Sequence, residues 1–399
     1  MQPALSKPAS GTLGKRAALL LQALTVVAFL AASSAPSPLY AIYRAAWGFS
    51  ALTLTAVFAS YAFALLGALL LFGPISDYLG RRPVLLAALV LEIGSVYLFW
   101  RADAVAWLFA ARIVQGLATG IAISSLNAGM VDLHRERGAL FNSTAPLFGM
   151  GVGALGTSLL VQYVFAPTRF VFELLFAAFV LLFVLACFLP ETVSPVPDAW
   201  RAAVRAMKPV IAIPGAARPT LWRVMPVNGA QWALGGFYLS LGPTLARGVT
   251  GIASPVVGGS LIAALVFCSV IAVLIVRGWA PHQVLIAGAW SLAAGLAVTL
   301  AGIALHASAV LFIGTVIAGF GFGAAFNGSM RSLVPLAAPH ERAGLLSGFF
   351  VLSYLAFSVP AMLAGLAAGY FGLQATAMSY GAVLIVLIAI ALLSMRRPT

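Results

Sequence analysis

Asn127-Ala128-Gly129-Met130, followed by Val131-Asp132-Leu133 and His134-Arg135-Glu136-Arg137-Gly138, has a counterpart two hundred residues later. There Asn327-Gly328-Ser329-Met330 leads into a loop carrying His340-Glu341-Arg342 and Gly344. Each segment ends one long apolar run and feeds the next. Ser37-Pro38-Leu39 and Gly242-Pro243-Thr244 correspond in the same way, each inside an apolar run. A chain that answers itself at corresponding places is built from a duplicated unit.

Outward from these anchors, apolar runs fall near residues 17-43, 50-73, 83-100, 104-129, 142-165, 169-189, 220-246, 255-276, 283-304, 308-330, 344-369 and 373-394. A membrane-spanning helix needs about 20 mostly apolar residues, because lipid offers no partner to an unpaired backbone amide. The composition agrees: 62% hydrophobic and 8% charged residues lie far outside the range of a soluble domain. The reading is an all-α membrane protein of twelve transmembrane helices. Residues 1-190 form one six-helix bundle, 191-219 a cytoplasmic linker, and 220-399 a second, pseudo-symmetric six-helix bundle.

The net charge of +13 does not point to nucleic acid, because the basic residues lie between apolar spans and form no stripe interleaved with aromatics. Lys7, Lys15, Arg16, Arg81, Arg82, Arg135, Arg137, Arg201, Arg205, Lys208, Arg396 and Arg397 gather in alternate loops, against Arg44, Arg101, Arg169 and Arg247 in the others. By the positive-inside rule both termini are cytoplasmic. In the linker, Trp200, Val204, Met207 and Ile211 recur at helical spacing beside Arg201, Arg205 and Lys208, which predicts a basic amphipathic helix on the inner membrane surface. Cys187 and Cys268 lie in apolar runs and suggest neither a disulfide nor a zinc site.

Two bundles with a site between them describe a carrier that works by alternating access. Pro36, Pro38 and Pro243 should break the first and seventh spans, and such breaks are tolerated where protein or a cavity satisfies the freed backbone groups.

Between the second and third spans runs Gly73-Pro74-Ile75-Ser76-Asp77-Tyr78-Leu79-Gly80-Arg81-Arg82-Pro83. Gly73 and Gly80 permit close approach and a tight turn, and Asp77 is a lone carboxylate in need of a positive partner. The stretch resembles the loop signature of the major facilitator superfamily, Gly-x-Leu-(Ala/Ser)-Asp-(Arg/Lys)-x-Gly-(Arg/Lys)-(Arg/Lys), with Tyr78 where a basic residue is usual. The resemblance implies a gating element of Gly73, Asp77, Gly80, Arg81 and Arg82, with Asp77 held by basic neighbours and by the N-terminus of the eleventh helix near Gly344.

In the fourth span, Arg112-Ile113-Val114-Gln115-Gly116 is similar to that family's Arg-x-x-Gln-Gly signature, frequent in proton-coupled members. A buried arginine cannot shed its charge and must find a carboxylate or carbonyls. Glu92 lies at a similar depth, so Arg112, Gln115 and Glu92 are the expected proton-coupling residues, with Glu92 in proton-dependent contact with Arg112; the alternatives are a fixed structural pair, or a Glu92 that stays protonated. Glu173 reads as interfacial. In the fifth span Pro146 and Gly149 retain part of an antiporter element, with Gly153 and Gly156 at packing spacing.

The fold resemblance places a substrate cavity among helices one, four, seven and ten. Candidate lining residues are Gln22, Ser33 and Tyr40, then Gln231, Trp232 and Tyr238, then Phe322, Phe326 and Asn327. Aromatic and neutral polar side chains suit moderately apolar molecules. No HExxH motif, phosphate-cradling Gly-x-x-x-x-Gly-Lys-Ser/Thr loop or membrane-depth nucleophile and base is present, which argues against an enzyme or an ATP-driven pump. The expected function is a proton-coupled exporter of small amphiphilic compounds in a bacterial inner membrane, monomeric and without cofactor. The rivals are uptake or exchange of a sugar or organic acid, and a non-transporting sensor.

Overall fold

A computed structural model describes residues 13-194, 198-209, 211-338 and 340-395. Lys7, Arg396 and Arg397 lie outside them. The first part of the chain forms α1 (Lys15–Ser34), α2 (Pro36–Trp47), α3 (Ala51–Phe72), the short α4 (Ile75–Leu79), α5 (Arg81–Trp100), α6 (Val105–Leu133), α7 (Arg135–Tyr163) and α8 (Pro167–Ala186). A short helix, α9 (Ala199–Ala206), follows. The remainder forms α10 (Arg218–Ser240), α11 (Gly242–Thr250), α12 (Pro255–Val276), α13 (Pro281–Ala304), α14 (Ser308–Leu333), α15 (Arg342–Phe371) and α16 (Leu373–Met395).

Eleven of these units are long and apolar enough to cross a membrane, with α1 and α2 counted together. The remaining long unit, α10 with α11, is more polar because it carries Arg218, Arg223, Asn228 and Gln231. Its anatomy repeats that of α1 and α2. Both are interrupted where proline withholds a backbone N–H, at Pro36 and at Pro243. Both stop at a left-handed glycine, Gly48 (φ 66°) and Gly251 (φ 67°), whose N–H bonds back to Arg44 and Arg247 respectively.

Lipid supplies no hydrophobic gain for bringing apolar helices together, so association rests on close packing of small residues. Gly116 and Gly120 of α6 lie so near the backbone of α3 that a methyl group would strike Tyr61 and Leu65 carbonyls. Between the two sets of helices, α7 packs on α12 and α3 on α15. These contacts gather at one end. Gly259 seats against Ser158, Gly365 against Thr55, and Ser254 Oγ donates to Gln162 Oε1 at 2.9 Å.

The opposite end holds the start of α1, the end of α8 and the loop between α3 and α5, tied together by Leu13 N–H donating to the Phe188 carbonyl at 2.9 Å. We call it the basic end. Here α9 packs on α4 with Ala203 buried, while Trp200 and Val204 point outward, 65% and 48% exposed. The amphipathic helix is shorter than its sequence spacing predicts, since it stops at Ala206. Beyond it, Ala212 N–H meets the Gly344 carbonyl at 3.4 Å, so the linker docks on the first turn of α15. In the fifth span the packing glycines are Gly149 and Gly153, both against α1, whereas Gly156 faces open space.

Candidate functional site

Arg112, on α6, is fully buried. Pro36 and Pro38 give no N–H to the Ala32 and Ser34 carbonyls four residues before them, so the helix is interrupted between α1 and α2 beside Arg112. Arg112 Nη1 donates to the Ser33 carbonyl at 2.7 Å, and Nε donates to the Tyr40 hydroxyl at 2.7 Å. The guanidinium is ringed by Tyr61, Tyr40, Phe99 and Phe58, with centroids 5.4 to 5.9 Å away. Such rings attract a desolvated cation through their negative faces.

The expected direct contact between Arg112 and Glu92 is corrected by the geometry. Arg112 Nη1 donates to Gln115 Oε1 at 2.8 Å, and Gln115 Nε2 donates to Glu92 Oε1 at 3.1 Å. Residues three apart on a helix share a face, so Gln115 stands between the cation on its own helix and the carboxylate on α5. Arg112 Nη2 and Glu92 Oε2 have no hydrogen-bond partner among the described residues. The guanidinium and the carboxyl group are therefore joined through the Gln115 amide, with hydrogen-bonding capacity left on both.

Beside this triad lies a cavity of about 230 Å³. It sits on the basic-end side of the sealed contacts and receives side chains from both sets of helices. Of the residues expected from sequence, Ser33, Gln231, Trp232, Tyr238, Phe322 and Phe326 line it. Three do not. Tyr40 is turned to Arg112; Gln22 lies at the basic end against Gly129, beside Arg81 and Arg82; and Asn327 Oδ1 takes Arg331 Nη1 at 3.5 Å.

The sequence reading missed much of the wall: Phe58, Tyr61 and Thr119 on one side, Asn127, Asn142 and Pro146 on another, and Tyr354 and Phe357 on α15. These helices are apolar nearly all round, so no periodicity marks the stripe that faces the cavity. Trp232 anchors the aromatic side, with Tyr354 at 4.8 Å and Phe357 at 5.8 Å between ring centroids. No lining side chain is charged. Among the described residues, four buried polar atoms on the wall have no hydrogen-bond partner: Gln231 Oε1, Trp232 Nε1, Asn127 Oδ1 and Asn142 Oδ1. An unpaired buried group is costly, so these atoms favour a bound molecule or water that supplies the missing bond.

At the basic end, Asp77 pairs with Arg81 at 2.5 Å, and Arg81 Nε lies 3.4 Å from Asp132 Oδ2. No hydrogen bond joins Asp77 to α15 among the described residues, so the expected partnership with the helix near Gly344 is not made; the linker occupies that turn instead. Glu191, absent from the sequence reading, accepts the backbone N–H groups of Arg81 at 2.8 Å and of Arg82 at 3.0 Å. A carboxylate there satisfies the orphan amides of α5 and complements its dipole. Gly80 has φ 96°, and a Cβ on it would strike that carboxylate. Glycine is required on both counts. At the far side, Trp100 Nε1 donates to Glu173 at 3.1 Å, an interfacial contact.

Residues 22–281 match the sequence profile of the Major Facilitator Superfamily. Among curated proteins, the human Major facilitator superfamily domain-containing protein 10 is 38% identical over 128 residues, covering 31% of this chain and 26% of that protein. MFS antiporter QDR2 of Candida albicans is 36% identical over 124 residues, 30% of this chain and 24% of that protein. The matches thus span about a quarter of each relative's length. The crystal structure of the human organic anion transporter MFSD10 (TETRAN) superposes with a TM-score of 0.67 at 20% identity, over 95% of this chain and 100% of that one. The duplicated helical architecture and the matched profile agree that this multi-pass membrane protein belongs to the Major Facilitator Superfamily of transporters.

Proposed function

We propose that the chain is a proton-coupled secondary transporter that exports small amphiphilic compounds by alternating access. The observation that carries this reading is the buried Arg112, Gln115 and Glu92 triad, set one aromatic ring behind an uncharged cavity between the two sets of helices. The supporting topology is twelve spans with both termini cytoplasmic, divided at 1-190, 191-219 and 220-399, with the basic end facing the cytoplasm.

The triad is neutral overall while Glu92 is ionised. Protonation of Glu92 leaves Arg112 as an uncompensated charge in a dry site, which is expensive. The protonated form then favours whichever conformation lets Arg112 reach water or an anion. The far-end seal, made by close small-residue contacts, opens as the basic end closes, and the Asp77, Arg81 and Glu191 network holds the moving loop during that exchange. Aromatic walls with a few unpaired polar atoms fit a mostly apolar molecule bearing one or two hydrogen-bonding groups. The name of the Candida relative, an antiporter, accords with exchange transport.

A second reading is favoured by a specific observation: Arg112 has a spare N–H and no carboxylate within ion-pair distance. That excess of positive field behind Tyr61 suits an organic anion, the substrate class printed for the human structural neighbour. The direction of proton movement separates the two. Purified protein in proteoliposomes with an internal pH dye is challenged with lipophilic cations, neutral drugs, sugars and organic acids. Protons moving against a cation or neutral drug, and lost in Arg112→Ala, support the exporter. Protons moving with an organic acid support the anion carrier, and binding without any flux would replace both with a sensor.

A further inference from the structure

Apart from the cavity between the two sets of helices, a groove of about 380 Å³ lies at the basic end between the start of α1 and the junction of α6 and α7. Its rim is basic, with Lys15, Arg16 and Arg137, and His134 lies beside them. Its floor is apolar, with Leu19, Leu133 and Phe141, and Leu20 beside them is 61% exposed. Lys15, Arg16 and Arg137 make no ion pair or side-chain hydrogen bond among the described residues. The nearby acids leave them so: Asp132 is engaged by Arg81 and Thr192, and Glu136 forms no ion pair there. His134 Nδ1 accepts the Arg137 N–H at 3.3 Å, which leaves Nε2 as the outward donor of the ring.

Corresponding cations in the second half are used differently. Arg218 donates to the Ile213 carbonyl, Arg342 to that of Ala337, and Arg331 to those of Val276 and Trp279. They satisfy local backbone. The cations of the first groove have no such employment, and they stand where a spanning helix meets the membrane surface, above side chains facing lipid.

The geometry points to a binding site for an anionic phospholipid of the leaflet at the basic end, its phosphate among Lys15, Arg16, His134 and Arg137 and an acyl chain along Leu19, Leu20 and Phe141. Charge complementarity selects the headgroup and the apolar floor selects a lipid over a soluble anion. The proposal requires only that the chain sits in a membrane, so it stands or falls independently of the substrate and of proton coupling.

The test uses the full chain in detergent, with native mass spectrometry reading occupancy during titration with phosphatidylglycerol, phosphatidylcholine of the same chains, or inorganic phosphate. Each basic residue near a surface contributes about fivefold in affinity, so the triple variant Lys15→Gln, Arg16→Gln, Arg137→Gln should bind phosphatidylglycerol about 100-fold more weakly. The triple variant Arg201→Gln, Arg205→Gln, Lys208→Gln, with the same loss of charge at the same end, should change it less than about twofold. Equal losses in both, displacement by inorganic phosphate, or equal affinity for phosphatidylcholine would each overturn the site. Should the groove variant fail to fold, a photo-crosslinking side chain at Leu20 in the otherwise unaltered chain decides. It should capture phosphatidylglycerol in preference to phosphatidylcholine, whereas the same probe at Ile390, exposed on α16, should not; equal preference at the two positions refutes the proposal.

Discussion

The two halves solve the same packing problem with different chemistry. By the offset that relates Asn127 to Asn327, Arg112 corresponds to Phe312, Gln115 to Thr315 and Glu92 to Leu292. In the first half these positions form a charged triad. In the second, Leu292 is buried among apolar neighbours, and Thr315 Oγ1 shares a 3.0 Å hydrogen bond with Tyr238, itself the counterpart of Ser33 by the offset that relates Pro38 to Pro243. The α13 and α14 pair is packed through Gly288, Gly295, Gly321 and Gly328, each against the partner backbone. A helix pair of this kind therefore closes without charge. Replacing buried charged groups by apolar ones is often neutral or stabilising, and the second half closes without them. This asymmetry supports the proposed role of the triad.

The sharpest way to break the comparison is to exchange the halves' roles. Arg112→Ala should reduce substrate-driven flux in proteoliposomes to the level of empty vesicles. Phe312→Leu should leave flux intact and cost about 1 kcal/mol by thermal unfolding, as a modest loss of apolar volume at a half-buried position does. If Phe312→Leu silences transport equally, the triad carries no special function.

Next in size is Glu92→Gln, which keeps shape and removes the titratable group. Where one proton is coupled, flux follows the pH gradient by up to about tenfold per unit. The variant should flatten that dependence, while Leu292→Met should not. An unchanged pH profile in Glu92→Gln removes this carboxylate from coupling.

Smaller effects belong to the basic end. Gly80→Ala forces a side chain into φ 96° and into the Glu191 carboxylate, a conformation costing about 1–3 kcal/mol. Gly278, in the comparable loop of the second half, faces open space with no such φ, and Gly278→Ala should stay within about 0.5 kcal/mol. Equal unfolding temperatures for the two variants would deny the first loop its tighter construction. A modest effect is expected from Tyr238→Phe, about 1 kcal/mol for the lost bond to Thr315, with substrate half-saturation shifted and the pH profile retained.

Legibility followed chemistry more than position. The rarity of charge in apolar runs exposed Arg112 and Glu92, the resemblance to the family's Arg-x-x-Gln-Gly signature marked Gln115, and the loop signature marked Asp77, Gly80 and Arg81. Glu191 escaped because it begins a stretch that reads as linker, and only folding brings it to the amides of Arg81 and Arg82. Tyr40 and Gln22 sit on the first span with the polar character expected of cavity residues, yet each turns to a different neighbour. Asn142, close to the loop in sequence, instead donates to the Asn127 carbonyl and presents its oxygen to the cavity.

Sequence by itself determined that this chain lies in a membrane as a duplicated set of helices, since lipid permits apolar runs of that length no other backbone arrangement. It also determined where the helices break and which charges are buried, since proline and arginine cannot hide their requirements. Tertiary structure alone decided which stripe of each helix faces the cavity, that Gln115 rather than direct contact joins Arg112 to Glu92, and which end is sealed. Helices apolar on every side carry no record of their neighbours, and their rotation is settled only when small residues find the backbones they fit.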